Sequence, residues 1–186
     1  MERALIVITP VTHLDEFRTR ASRPRSRRSR RLEHQESLRH GRAMHLLDIE
    51  NLVGSTRPTT SEVEEVMMVY EALVPIGAMD HYVVAVNHTA LVAVGIAFHG
   101  VRLLARSGPD GADSALVESA YEDRIDRRFE RVVIGSGDGY FTELAGSLTA
   151  TGLHVTVVSR RGSLSRHLAA VVPDVICLEP PAMHAA

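Results

Sequence analysis

The stretch Arg131-Val132-Val133-Ile134-Gly135-Ser136-Gly137-Asp138-Gly139-Tyr140-Phe141 passes from a β-branched apolar segment into a glycine-rich turn that carries one carboxylate. A short Val/Ile run bounded by turn residues reads as a strand buried on both faces, so Asp138 sits at a strand exit and not in a core. Two more acids stand in similar settings. Asp48 ends His45-Leu46-Leu47-Asp48, and Asp113 opens an apolar-periodic run after Gly108-Pro109-Asp110-Gly111. Carboxylates gathered at the C-terminal ends of strands predict a divalent-cation site, because like charges stay ionised together only around a cation, and oxygen donors select Mg²⁺ or Mn²⁺.

Outward from this stretch, strand and helix patterns alternate. Strands are expected at 44–48, 81–86, 101–105, 131–136, 154–159 and 175–178. Helices are expected at 60–73, 89–98, 113–126, 141–150 and 163–171, with 52–58 as loop. The start at 60 rests on Thr60-Ser61-Glu62-Val63-Glu64-Glu65, which puts acids in the first turn where the helix dipole favours them. Such alternation predicts an α/β fold, Rossmann-like and three-layered. Its mostly parallel sheet has strand order 3-2-1-4-5, helices cover both faces, and crossovers are right-handed. Ligands then bind outside the carboxyl ends of the strands where the order reverses. Asp48 and Asp138 face one crevice there, and Asp113 reaches in from the first turn of its helix.

The chain has 186 residues, 45 % hydrophobic and 4 % aromatic with no Trp, which describes one aliphatic domain with a tail. Cys177 is the sole cysteine, which excludes an intrachain disulfide and a cysteine-based zinc cluster. A reducing, cytoplasmic setting is expected, and no apolar run approaches the ~20 residues that span a bilayer. Residues 1–43 hold 11 Arg against 5 Asp or Glu, a net of +6, so the remainder carries −8. The arginine-rich stretch reads as a disordered extension. Either it is a nucleic-acid arm, since clustered arginine releases counterions from phosphates, or it precedes an alternative start at Met44. All 21 basic residues are arginine, which removes every mechanism that needs a lysine.

Asp48-Ile49-Glu50-Asn51, Gly111-Ala112-Asp113-Ser114-Ala115-Leu116 and Ser136-Gly137-Asp138-Gly139-Tyr140-Phe141 together resemble the three signatures of NYN-domain proteins, the PIN-like metal-dependent ribonucleases. The resemblance covers residues 44–179 and leaves 180–186 as a tail. It implies a PIN-like fold, RNA as partner, and an Mg²⁺ or Mn²⁺ site that hydrolyses phosphodiester bonds. Asp48, Asp113 and Asp138 would be the metal ligands, with Asn51 orienting a ligand or water. Ser136 adds a hydroxyl beside them. Apart from the resemblance, Arg160 and Arg161 follow the fifth strand, and Gly162-Ser163 opens an expected helix whose free N–H groups would bind phosphate; the alternative is a solvated loop. Many family members carry a second acid where Tyr140 stands, and Glu50 is the neighbour that would replace it.

The missing lysine removes a haloacid dehalogenase-type phosphatase and a receiver domain, and no G-x-S-x-G elbow is present. Gly135 to Gly139 departs from the dinucleotide-binding spacing. The rival reading is a PIN-like RNA-binding module that has lost cutting activity. Oligomeric state stays open, a homo-oligomer included.

Overall fold

The computed structural model describes residues 41–179. The arginine-rich stretch and the C-terminal tail lie outside the described residues, apart from residues 41–43. Six parallel strands form one sheet in the order β3-β2-β1-β4-β5-β6. They are β1 (Ala43–Asp48), β2 (His81–Val86), β3 (Arg102–Ala105), β4 (Arg131–Gly135), β5 (His154–Arg160) and β6 (Asp174–Leu178). This is the expected order with β6 added outside β5. Strand order reverses at β1, which pairs with β2 on one side (Leu47 opposite Val84) and β4 on the other (Leu47 opposite Gly135).

The pleat sends alternate residues of β1 to opposite faces. Met44 and Leu46 join Val132, Ile134, Val155 and Val157 under α4 (Gly111–Glu122), α5 (Ile125–Arg128), α6 (Thr142–Ala150) and α7 (Arg166–Val171). Leu47 joins Val84, Val86 and Val133 under α1 (Ile49–Val53), α2 (Thr60–Leu73) and α3 (Leu91–Ala97). Three layers result. Burying each such Leu, Ile or Val contributes about 1.5–3 kcal/mol.

Local chemistry sets the helix ends. Thr59 and Glu62 form a reciprocal capping box, with the Thr59 N–H donating to Glu62 Oε2 at 2.8 Å. Helix α1 forms where loop is expected. Asp48 caps its start, and Gly54, at φ +83°, ends it in the left-handed region that glycine occupies without a Cβ clash. Five residues are too few for an apolar period to register in sequence. The single helix expected over 113–126 is two, split by Arg124 at φ +49°. The helix expected from Ser163 opens at Arg166, because the Ser165 N–H donates to the Gly137 carbonyl at 2.8 Å and ties this segment to the Asp138 turn. Among the described residues no helix is long and apolar enough to cross a membrane.

Candidate active site

Asp48 shares its face of β1 with Met44 and Leu46, the face covered by α4, and Asp113 lies in the first turn of α4. Strand parity and helix placement therefore bring these two carboxylates together beneath the C-terminal edge of the sheet. They are 6 % and 9 % exposed. A ring of hydrogen bonds fixes Asp48. Its Oδ1 accepts from the Asn51 backbone N–H at 3.2 Å, and its Oδ2 accepts from the Ser136 hydroxyl at 3.2 Å. The same hydroxyl accepts from the Asp138 N–H at 3.2 Å, while Asn51 Oδ1 accepts from the Gly137 N–H at 3.0 Å. Asn51 and Ser136 thus clamp the β4 turn onto α1.

Gly137 is where this clamp needs a missing side chain. A Cβ there would meet the Ser159 hydroxyl and lie 2.5 Å from the Ser163 carbonyl oxygen. The turn after β5 therefore packs directly against the backbone beside Asp138.

Burial pushes the Asp48 carboxyl above the usual carboxylate range, against the lowering effect of the Asn51 and Ser136 hydrogen bonds. Burial also pushes Asp113 up, joined by the charges of Asp48 and Asp138 and by a hydrogen bond shared with Asp48. One oxygen of Asp113, Oδ1, is buried with no hydrogen-bond partner. A buried lone pair without a donor, next to a second carboxylate, fits a hard cation, and Mg²⁺ is commonly held by one or two carboxylates with water and phosphate completing its shell.

Asp138 stands at the rim. It is exposed, and its Oδ1 accepts from the Tyr140 N–H at 2.9 Å, capping the 3₁₀ turn Gly139–Phe141. The expected trio is thus a buried pair with a third acid outside it. Among the described residues no three His, Cys, Asp or Glu side chains are arranged to hold a metal ion. Glu50 turns aside, its Oε1 accepting from the Asn87 N–H at 2.8 Å.

The residues expected to meet phosphate are engaged elsewhere in this structure. Arg160 donates through Nε to the Asn51 carbonyl at 2.7 Å, with its guanidinium against Gly54, so it braces α1. Arg161 pairs with Glu179 at 3.2 Å on the exposed side. Ser163 donates its N–H to the Arg160 carbonyl at 3.1 Å and lies three residues before the six-residue α7, so no helix start presents N–H groups there. Ser136 is fully buried and acts on Asp48, not on solvent. Sequence reasoning passed over two rim features. His88 Nδ1 meets the Ser107 hydroxyl at 2.7 Å, and Arg106 makes a two-pronged contact with Glu118 at 2.8 and 2.6 Å. Both clusters follow strand C-termini, and that position was the available signal.

Comparison with known proteins fits this architecture. No curated protein matches the chain. The structure is similar to that of a protein of unknown function from Vibrio parahaemolyticus RIMD 2210633, at 16 % identity and a TM-score of 0.52, covering 74 % of this chain and 93 % of that one. That likeness is one of fold. The NYN domain model matches residues 42–179, the whole of the sheet and its helices. The chain belongs to the NYN domain family, within the PIN-like nuclease superfamily.

Proposed function

We propose that the domain is a metal-dependent ribonuclease that hydrolyses RNA phosphodiester bonds at the Asp48–Asp113 pair. The observation that carries this reading is the unpartnered, buried Asp113 Oδ1 beside Asp48 at the point where strand order reverses. Asp48 and Asp113 would hold Mg²⁺ or Mn²⁺, with Asp138 at the rim facing water and substrate. Bound there, the ion would supply an activated water and offset charge on the scissile phosphate. The chain's own residues do the positioning. The Ser136 hydroxyl and the Asn51 N–H favour the ionised form of Asp48 against its burial and hold it in one orientation, and the Asn51 side chain fixes the turn that presents Asp138. The family membership supports a nuclease; RNA as substrate and the metal requirement belong to this proposal.

Cleavage of labelled RNA by purified protein tests it. Cutting is expected with Mn²⁺ or Mg²⁺, absent with EDTA, and lowered at least roughly a hundredfold by Asp113→Asn or Asp48→Asn, as for loss of a directly acting group. Cutting that persists in EDTA or in Asp113→Asn would overturn it.

A second reading has its own support. Tyr140 occupies the position of a common family acid, and Asp138 lies outside the buried pair. These features favour an RNA-binding module without cutting activity. RNA binding unchanged by EDTA, with no cleavage in any metal, is its signature.

A further inference from the structure

Glu64, Met67 and Glu71 lie on one stripe of α2, because residues three and seven apart share a helix face. With Tyr82 on β2 and Phe98 after α3 they line a groove of about 580 Å³ towards the N-terminal end of the sheet. Its floor is apolar. Met67 is buried, and the half-buried Tyr82 ring stacks on the buried His45. Its rim is acidic, since Glu64 and Glu71 are both exposed, and the charge of Glu71 reaches the Tyr82 phenol. Among the described residues neither carboxylate enters an ion pair. An aromatic slot between two such carboxylates suits guanidinium groups, which stack on a ring and donate to a carboxylate at once.

The chain carries that group close by. Residues 17–31, outside the described residues, hold eight Arg. They join the domain through Gly41, beside the start of β1, where the Ala43 N–H donates to Asp80 Oδ1 at 2.6 Å and His45 stands opposite Tyr82. The groove thus opens one strand spacing from β1, about 5 Å. Residues 32–40 span up to about 30 Å when extended, so the arginines reach it. The spacing agrees as well. Glu64 and Glu71 are about 10 Å apart along the axis of α2, and residues three apart in a polyproline-II segment share a face about 9 Å apart. Arg20 with Arg23, Arg25 with Arg28, and Arg28 with Arg31 have that separation. We propose that this groove docks the chain's own arginine-rich segment, two of whose guanidinium groups pair with Glu64 and Glu71 and stack on Tyr82 and Phe98. Docked there, at the end of the sheet away from the Asp48–Asp113 pair, those arginines are withheld from nucleic-acid phosphate. The proposal does not depend on the ribonuclease reading.

Limited trypsin digestion of the full chain tests it, because trypsin cuts after arginine and cleavage follows the population of the undocked segment. The initial rate of cleavage within residues 18–31, read by mass spectrometry, is compared for the wild type, Glu64→Gln/Glu71→Gln and Glu122→Gln/Glu143→Gln. The last variant removes the same charge from exposed positions on the other face of the sheet. The groove variant should be cut roughly three- to thirtyfold faster than the wild type, the range for losing two exposed ion pairs with their ring contacts, and the other variant at the wild-type rate. Roughly tenfold dilution should leave the wild-type rate unchanged, as an intramolecular contact requires. Equal rates in the wild type and the groove variant overturn the proposal and leave the segment open to nucleic acid. Equal acceleration in both variants overturns it too, as attraction by net charge alone. Protection that fades on dilution overturns it in favour of a second copy's segment.

Discussion

Asp113 is costly to the metal-free protein. Its folded pKa is raised to about 7, by burial first and then by the charges of Asp48 and Asp138, and that of Asp48 to about 6, by burial first and then by the charge of Glu50, against about 4 in an unfolded chain. A raised carboxyl contributes stability that is complete below the unfolded value and lost as pH rises through the folded one. The metal-free protein should therefore lose melting temperature between about pH 4 and 7. Asp113→Asn, or excess Mn²⁺ with the wild type, should flatten that decline in a thermal-shift series, and a decline unchanged by both would contradict the shared-pair geometry. Ser136→Ala leaves buried Asp48 short of a donor. It is expected to destabilise by about 1–3 kcal/mol and to weaken metal-dependent activity about 10- to 100-fold, as losses of orienting hydrogen bonds do, read by denaturant titration and by metal titration of activity.

Two glycines separate close approach from simple helix propensity. Ala at Gly137 would drive a Cβ into the Ser159 hydroxyl and the Ser163 carbonyl. The expected loss is about 1–3 kcal/mol for overpacking, with activity reduced because the Asp138 turn must move. Gly146 lies inside α6, where a Cβ would make ordinary contact at 3.9 Å from Val171. Gly146→Ala should stabilise by about 0.5–1 kcal/mol. Chemical denaturation of both variants checks the opposite signs.

The same scale shows what was legible in the sequence. The strands and the switch point at β1 could be read because Val/Ile runs and glycine turns are local signals. That Asp48, Asp113 and Asp138 share one edge of the sheet could be anticipated from their places in the strand and helix pattern, but the burial of Asp48 with Asp113, and the exposure of Asp138, could not. The break at Arg124 could not, because no Gly or Pro marks it. Nor could the engagement of Arg160 by the Asn51 carbonyl, since their contact spans 109 residues. The same limit applies to α7, whose start is set by the long-range Ser165 bond to Gly137.

At the scale of the molecule, β1 carries two buried polar networks, one near each end and on opposite faces of the sheet. At its start, His45 Nδ1 meets the Tyr70 hydroxyl at 2.6 Å, Nε2 faces Asp80 Oδ2 at 3.3 Å, and the ring stacks on Tyr82 at 4.4 Å. Arg131 reaches the same Asp80 oxygen at 3.3 Å. Burial lowers the His45 pKa despite Asp80. Asp80 is lowered too: burial opposes this, but the Ala43 and Gly77 N–H groups and His45 outweigh it. A depressed histidine contributes stability that is present above about pH 6.5 and lost as pH falls below it, opposite in sign to the Asp48–Asp113 pair. Below about pH 6.5 the His45 contribution therefore makes the decline set by the Asp48–Asp113 pair less steep.

The outer strand gives this sheet a ruler. Ser159 on β5 is opposite Cys177 on β6, and Leu47, next to Asp48, is opposite Gly135 on β4. The register therefore runs Asp48, Ser136, Ser159 and Cys177 in one row, three strand spacings or about 14 Å long. Cys177 is exposed and is the sole thiol of the chain. A nitroxide attached there would be broadened in its resonance spectrum by a paramagnetic Mn²⁺ bound at Asp48. Occupancy would then be read as a magnetic distance, without any reaction taking place.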